Sequence, residues 1–119
     1  MQNYKELKVW DKAHELTLII YKRSITFPKE EVYGLTSQLR RSSSSIPANI
    51  AEGCGKNSQL EFAHFLNIAL GSANETEYYL ILSKDLNYLN TEDFETLSKL
   101  INEIKAMLIN LISKVRSSA

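Results

Sequence analysis

Two carboxylate and imidazole pairs spaced i, i+3, Asp11-x-x-His14 and Glu61-x-x-His64, are the pieces from which helical bundles assemble two-metal sites. Such a site needs one more carboxylate from each of two further helices, and Glu52 and Glu103 are the residues available for it. Both pairs begin in the first turns of their segments, so antiparallel neighbours hold them at different levels. Surface carboxylates with local ion pairs and one partly buried histidine are the plainer expectation. A bundle metal enzyme therefore stands only as a remote alternative, and no catalytic residue, metal ligand or cofactor is assigned.

Gly53-Cys54-Gly55-Lys56-Asn57-Ser58 is glycine-rich but lacks the G-x-x-x-x-G-K-[ST] spacing of a phosphate loop, and no strand precedes it. What remains is a helix start with free amides beside Lys56, able to hold an anion, or simply a glycine stop followed by a capped helix. Cys54 has no base beside it in sequence, which favours an idle thiol over a nucleophile. Arg40-Arg41 is the most chemically suggestive pair, because a guanidinium fork binds phosphate or carboxylate bidentately. The alternative is an ion pair, within or between subunits, with an acidic residue of the third segment such as Glu75 or Glu77. Lys5, Lys8, Lys12, Lys22 and Arg23 make the first segment basic. The aromatics Trp10, Phe62, Phe65 and Tyr79 fall at core spacing, which argues against base stacking.

These residues lie on a chain of 119 residues with 14 basic and 14 acidic groups, 44% hydrophobic and 24% charged residues, four glycines, two prolines and one cysteine. That composition is the globular average, and the length suits one domain, expected over 1–119, with its own core. A lone cysteine makes no internal disulfide, and the first residues lack the apolar stretch of a signal peptide, so a cytoplasmic location is expected. No apolar run approaches the ~20 residues of a membrane span. Charge is uneven along the chain: residues 1–30 carry +2, 31–60 +1, 61–90 −3 and 91–119 zero. This is weaker than the basic stripe of a dedicated nucleic-acid binder.

Between the clustered breakers, apolar residues recur at three- and four-residue steps, which predicts helices over about 5–27, 31–53, 58–89 and 91–117. In the last, Phe94, Leu97, Ile101, Ile104, Leu108, Leu111 and Val115 form one unbroken seam, with Thr91 expected as N-cap. The third opens with the capping box Ser58-Gln59-Leu60-Glu61. It carries two stripes, one through Phe62, Leu66, Ala69, Ala73, Thr76 and Leu80 and one through Phe65, Ile68, Ser72, Tyr79, Leu82 and Leu86. Small Ala69, Gly71, Ser72 and Ala73 invite close helix approach. The first is also double-striped, with Val9, Ala13, Leu16 and Ile20 on one side and Leu7, His14, Leu18, Tyr21 and Ile25 on another. Pro28 ends it. The second runs through Leu35, Leu39, Ser42, Ile46 and Ile50, with a kink expected at Pro47, where the serines Ser42 to Ser45 are placed to satisfy freed carbonyls. Short connections imply an all-α, antiparallel up-down-up-down four-helix bundle. Surplus apolar surface on the first, third and fourth helices predicts self-association as a closed ring or dimer.

Leu7-Lys8-Val9-Trp10-Asp11-Lys12-Ala13, Phe27-Pro28, Tyr33-Gly34-Leu35-Thr36-Ser37-Gln38-Leu39-Arg40-Arg41, Ser45-Ile46-Pro47-Ala48-Asn49-Ile50-Ala51-Glu52-Gly53 and Ile68-Ala69-Leu70-Gly71-Ser72-Ala73-Asn74-Glu75 resemble the bacterial family named for intervening sequences in 23S rRNA genes, the S23 family. The resemblance covers nearly the whole chain. It implies a four-helix bundle and a homopentamer, since relatives include the accessory proteins of diversity-generating retroelements, which form pentameric barrels and bind nucleic acid and a reverse transcriptase. The resemblance and the charge pattern together lead to the expectation of a non-enzymatic oligomer that contacts RNA or a nucleoprotein through Arg40, Arg41, Lys56, Lys8, Lys12, Lys22 and Arg23. A protein-only scaffold without nucleic-acid affinity is the alternative.

Overall fold

The computed structural model describes residues 2–119, so the expected domain start at Met1 lies outside the described residues. Four α-helices, α1 (Lys8–Arg23), α2 (Leu35–Cys54), α3 (Gln59–Asp85) and α4 (Thr91–Ser117), pack into a four-helix bundle of 45 × 24 × 20 Å, with no strand among the described residues. Each helix packs on the next and α4 returns to α1, leaving α1 and α3 diagonal to one another. The connections are short, so successive helices run antiparallel.

The core is made by the stripes read from periodicity. Val9, Ala13, Leu16 and Ile20 of α1 meet Leu39, Ile46 and Ile50 of α2, Phe62, Leu66, Ala69, Ala73 and Leu80 of α3, and Leu97, Ile101, Ile104, Leu108 and Val115 of α4, all buried. Leu100 and Ile112, which flank the α4 seam, are buried in the same core, so they supply none of the expected surplus.

The helix ends differ from the expected ones for local reasons. A short 3-10 turn, Tyr4–Glu6, is capped by Asn3, and Leu7 then turns extended, so α1 begins at Lys8. At its other end the chain tightens into the 3-10 turn Ser24–Thr26, and Phe27 is extended ahead of Pro28. The second helix waits until Leu35 because Glu31, four residues earlier, accepts the Leu35 amide on its carboxylate at 3.1 Å. A Cβ on Gly34 would stand 2.6 Å from that same carboxylate oxygen, so glycine is what lets the cap reach in. Tyr88, in the α3–α4 connection, donates its hydroxyl to the other Glu31 oxygen at 3.0 Å, which holds its own phenol above the ordinary range. Ser58 caps α3 as its box predicts, accepting the Glu61 amide at 3.1 Å. That helix stops at Asp85, because Asn87 takes the left-handed conformation at φ 64° and returns its amide to Lys84. Asn90 rather than Thr91 caps α4, accepting the Asp93 amide at 2.7 Å.

Pro47 lies inside α2 and is buried. Its nitrogen has no proton for the Ser43 carbonyl, and that carbonyl instead lies 3.1 Å from the Thr17 hydroxyl of α1, whose one proton is shared with the Ala13 carbonyl at 2.9 Å. The serine run has other partners: Ser42, Ser43 and Ser44 donate to carbonyls three residues back, Leu39, Arg40 and Arg41. On the α3 side, Ser45 and Ser72 hydroxyls meet at 2.9 Å, and Thr76 Oγ1 lies 2.9 Å from Ser42 Oγ and 2.8 Å from the Ser72 carbonyl. Among the described residues no buried side-chain polar atom lacks a partner.

Candidate functional site

The second α1 stripe is one place where burial stops. Leu18, Tyr21 and Ile25, at steps of three and four, are 57%, 44% and 73% exposed. Beside them runs a groove of about 490 Å³ between α1 and α2, whose walls include Trp10, His14 and Leu18 on one side and Pro47, Ala48 and Ala51 on the other. Its α2 wall is low because the residues there are small. Its α1 wall is aromatic: the Trp10 and His14 rings stack at 5.1 Å, and Tyr4 meets Trp10 edge-on at 5.1 Å. Through Tyr21 and Ser44 the groove continues into a second hollow of about 420 Å³ lined by Val32, Thr36, Ser37, Arg40 and Arg41, with no acidic residue on its walls.

Arg40 is held rigidly. Its Nε donates to Ser24 Oγ at 2.8 Å, Nη2 donates to the Tyr21 carbonyl at 3.1 Å, and the guanidinium lies 4.8 Å from the Tyr21 ring centre. A cation is thus placed on the last carbonyls of α1, where the helix dipole favours it. Within the chain, Glu75 and Glu77, the acidic partners expected for the arginine pair, meet groups other than the arginines. Glu75 accepts from Tyr79 at 3.1 Å, and Glu77 pairs with Lys105 at 3.0 Å. Arg41 is exposed and makes no ion pair among the described residues.

The other expected cations do not gather with these two. Lys12 pairs with Glu103 at 3.1 Å and Arg23 with Asp93 at 3.2 Å, which turns them toward α4. Lys56 sits past the far end of α2, 3.9 Å from Glu52 and 5.0 Å from the Phe65 ring centre. Lys8 and Lys22 are exposed on α1. The seven residues therefore do not converge on one place, and only Arg40 and Arg41 share a hollow.

The two histidine pairs are also apart. His14 belongs to the α1–α2 groove, while exposed His64 of α3 lies edge-on to Phe65 at 5.5 Å. Glu52 and Glu103 are taken by lysines, and among the described residues no group of three His, Cys, Asp or Glu converges as a metal site would. In the glycine-rich segment, Gly53 and Cys54 are still helical, and Gly55 ends α2. Cys54 is buried, its thiol pushed up by desolvation, which suits packing rather than attack. Periodicity gave no sign of Thr17 and Glu31, whose partners lie 26 and 57 residues away.

A family model described as 23S rRNA-intervening sequence protein matches residues 5–110. Among solved structures, the chain is similar to a protein of unknown function from the S23 ribosomal protein family of Bacteroides thetaiotaomicron VPI-5482. The TM-score is 0.80 at 35% identity, covering 88% of this chain and 95% of that one. No curated protein matches.

Proposed function

This chain belongs to the 23S rRNA-intervening sequence protein family, and on that premise we propose that it is a non-enzymatic interaction protein that works as a closed homo-oligomer, the pentamer its resemblance implies. The observation that carries this reading is the uncovered stripe of Leu18, Tyr21 and Ile25 beside an apolar groove. Large apolar side chains aligned in water along one helix face mark a contact surface. Each such side chain is already partly buried, so covering the remainder contributes roughly 1 to 2 kcal/mol. Tyrosine and arginine beside the stripe are residue types that concentrate in protein contacts.

Of the seven cations expected to contact RNA, Arg40, Arg41, Lys8 and Lys22 have no carboxylate partner among the described ion pairs. Four such cations, only two of them sharing a hollow, on a chain of net charge zero support protein contact better than a phosphate track. The test is native mass by light scattering, followed by titration with 23S rRNA fragments at two salt concentrations. A multiple of the 13.6 kDa chain with little RNA affinity at low salt is expected. A single-chain mass overturns the oligomer. Binding that falls steeply with salt, and whose salt slope flattens in Arg40→Ala, Arg41→Ala, replaces the protein-only reading with an RNA-binding one.

A further inference from the structure

A second uncovered stripe lies on the diagonal helix. Glu75, Tyr78, Ile81 and Asp85 of α3 are all exposed, and the two apolar members, 56% and 43% exposed, are bracketed by carboxylates. Asp85 stands in the last turn of α3, where the helix dipole disfavours negative charge, and it has no cationic partner among the described ion pairs. The α1 stripe has the opposite surroundings: Arg40 and Arg41 flank Tyr21 in a hollow without acids. Leu18 to Ile25, which runs from α1 into the 3-10 turn after it, and Tyr78 to Asp85 each span seven residue steps, about 10 Å at helical rise.

Resting on the self-association proposed above, we propose that the occupant of the α1–α2 face is the α3 stripe of a second copy: Tyr78 and Ile81 enter beside Leu18, Tyr21 and Ile25, and their carboxylates meet Arg40 and Arg41. One chain cannot bring the two faces together, because α1 and α3 sit diagonally in the bundle. The contact is head-to-tail: each copy offers one face of each kind, so assembly ends only when the ring closes. Charge complementarity then fixes orientation, since α1 faces set against each other would bring four arginines together.

Two variants separate this arrangement from its rivals, Leu18→Asp with Ile25→Asp on the first face and Tyr78→Asp with Ile81→Asp on the second. Every substituted side chain is exposed in the monomer, so circular dichroism should match the wild type and melting should match that of wild type diluted to single chains, since association itself stabilises the folded chain. If either aspartate variant melts below that dissociated reference, Ile25→Ser and Ile81→Ser repeat the experiment. Each variant alone is expected at the mass of one chain, and an equimolar mixture at twice that mass and no more, because each retains the face the other lacks. Arg41→Glu in the wild type should weaken association at least tenfold at low salt. A mixture that stays at single-chain mass overturns the inference, as does a Tyr78, Ile81 variant as large as the wild type; in both cases the oligomer reading survives. A wild type of single-chain mass overturns both.

Discussion

The contact between α2 and α3 and the groove between α1 and α2 are built on the same helix and differ in what covers them. Toward α3, α2 presents Ser42, Ser45 and Gly53, and each meets a specific partner: Thr76, Ser72 and the Phe62 and Phe65 side chains. Toward the outside of α1 it presents Ser44, Pro47, Ala48 and Ala51, which line the groove between the two helices. Small residues inside a finished contact are pinned by hydrogen bonds and by the lack of room. The same kinds of residue in the groove leave space beside a ridge of exposed apolar side chains. Small size alone does not tell a finished contact from an open one, whereas the exposure of the neighbours does.

The largest effect is expected where the finished contact is tightest. A Cβ on Gly53 would stand 2.9 Å from Phe65 Cβ and 3.0 Å from the Phe62 ring. Gly53→Ala should therefore lower unfolding free energy by roughly 2 to 3 kcal/mol, read by urea denaturation, and a neutral outcome would show that this contact yields. Next is Thr17→Val, which strips the Ser43 carbonyl of the donor that Pro47 cannot supply. A loss of about 1 to 2 kcal/mol is expected. If Pro47→Ala on that background fails to recover part of the loss, the carbonyl is not what Thr17 serves.

Gly71 sharpens the contrast by sitting in α3 with nothing within 4 Å of where its Cβ would be. It is not a close-approach residue, contrary to its place among Ala69, Ser72 and Ala73, and Gly71→Ala should stabilise by about 0.5 to 1 kcal/mol in the same titration. The smallest effect belongs to Tyr79, whose hydroxyl joins the seam, 2.8 Å from Gln38 and 3.1 Å from Glu75. Burial first, then Glu75, raises its phenol above the ordinary 10. A phenol whose pKa is raised by folding contributes stability that is complete below pH 10 and lost as pH climbs through the folded value. Melting curves of Tyr79→Phe should accordingly fall less steeply above pH 10 than those of the wild type.

The four helices and nearly every core position were legible because burial repeats with the helix period: Val9, Ala13, Leu16 and Ile20 declare one face without reference to any other segment. The double stripe of α1 was legible too, and its second half is the exposed ridge. What the sequence did not disclose are contacts that join distant segments once each. Thr17 reads as an ordinary helix residue until Pro47 is seen to orphan a carbonyl opposite it. Glu31 reads as a loop acid until Gly34 gives it room to cap α2 and Tyr88 reaches it from the α3–α4 connection. Arg40 and Arg41 stood out as a guanidinium pair, but the partners of Arg40 proved to be Ser24 and the Tyr21 carbonyl at the end of α1, the latter a backbone feature with no residue type to announce it. The scatter of Lys12, Arg23 and Lys56 was likewise hidden, because charge counted along the chain says nothing about the direction each helix face takes.

Trp10, the single tryptophan, lines the open groove beside His14, so its emission reports directly whether that groove is covered. The decisive measurement is a dilution series followed simultaneously by light scattering and by Trp10 emission with acrylamide quenching. As the assembly dissociates, emission should shift to the red and quenching should rise along the same concentration curve as the mass, while Leu18→Asp with Ile25→Asp shows the red, readily quenched signal at every concentration. A mass that falls on dilution while Trp10 stays unchanged would mean that copies meet elsewhere, and that the α1–α2 groove is not the contact face.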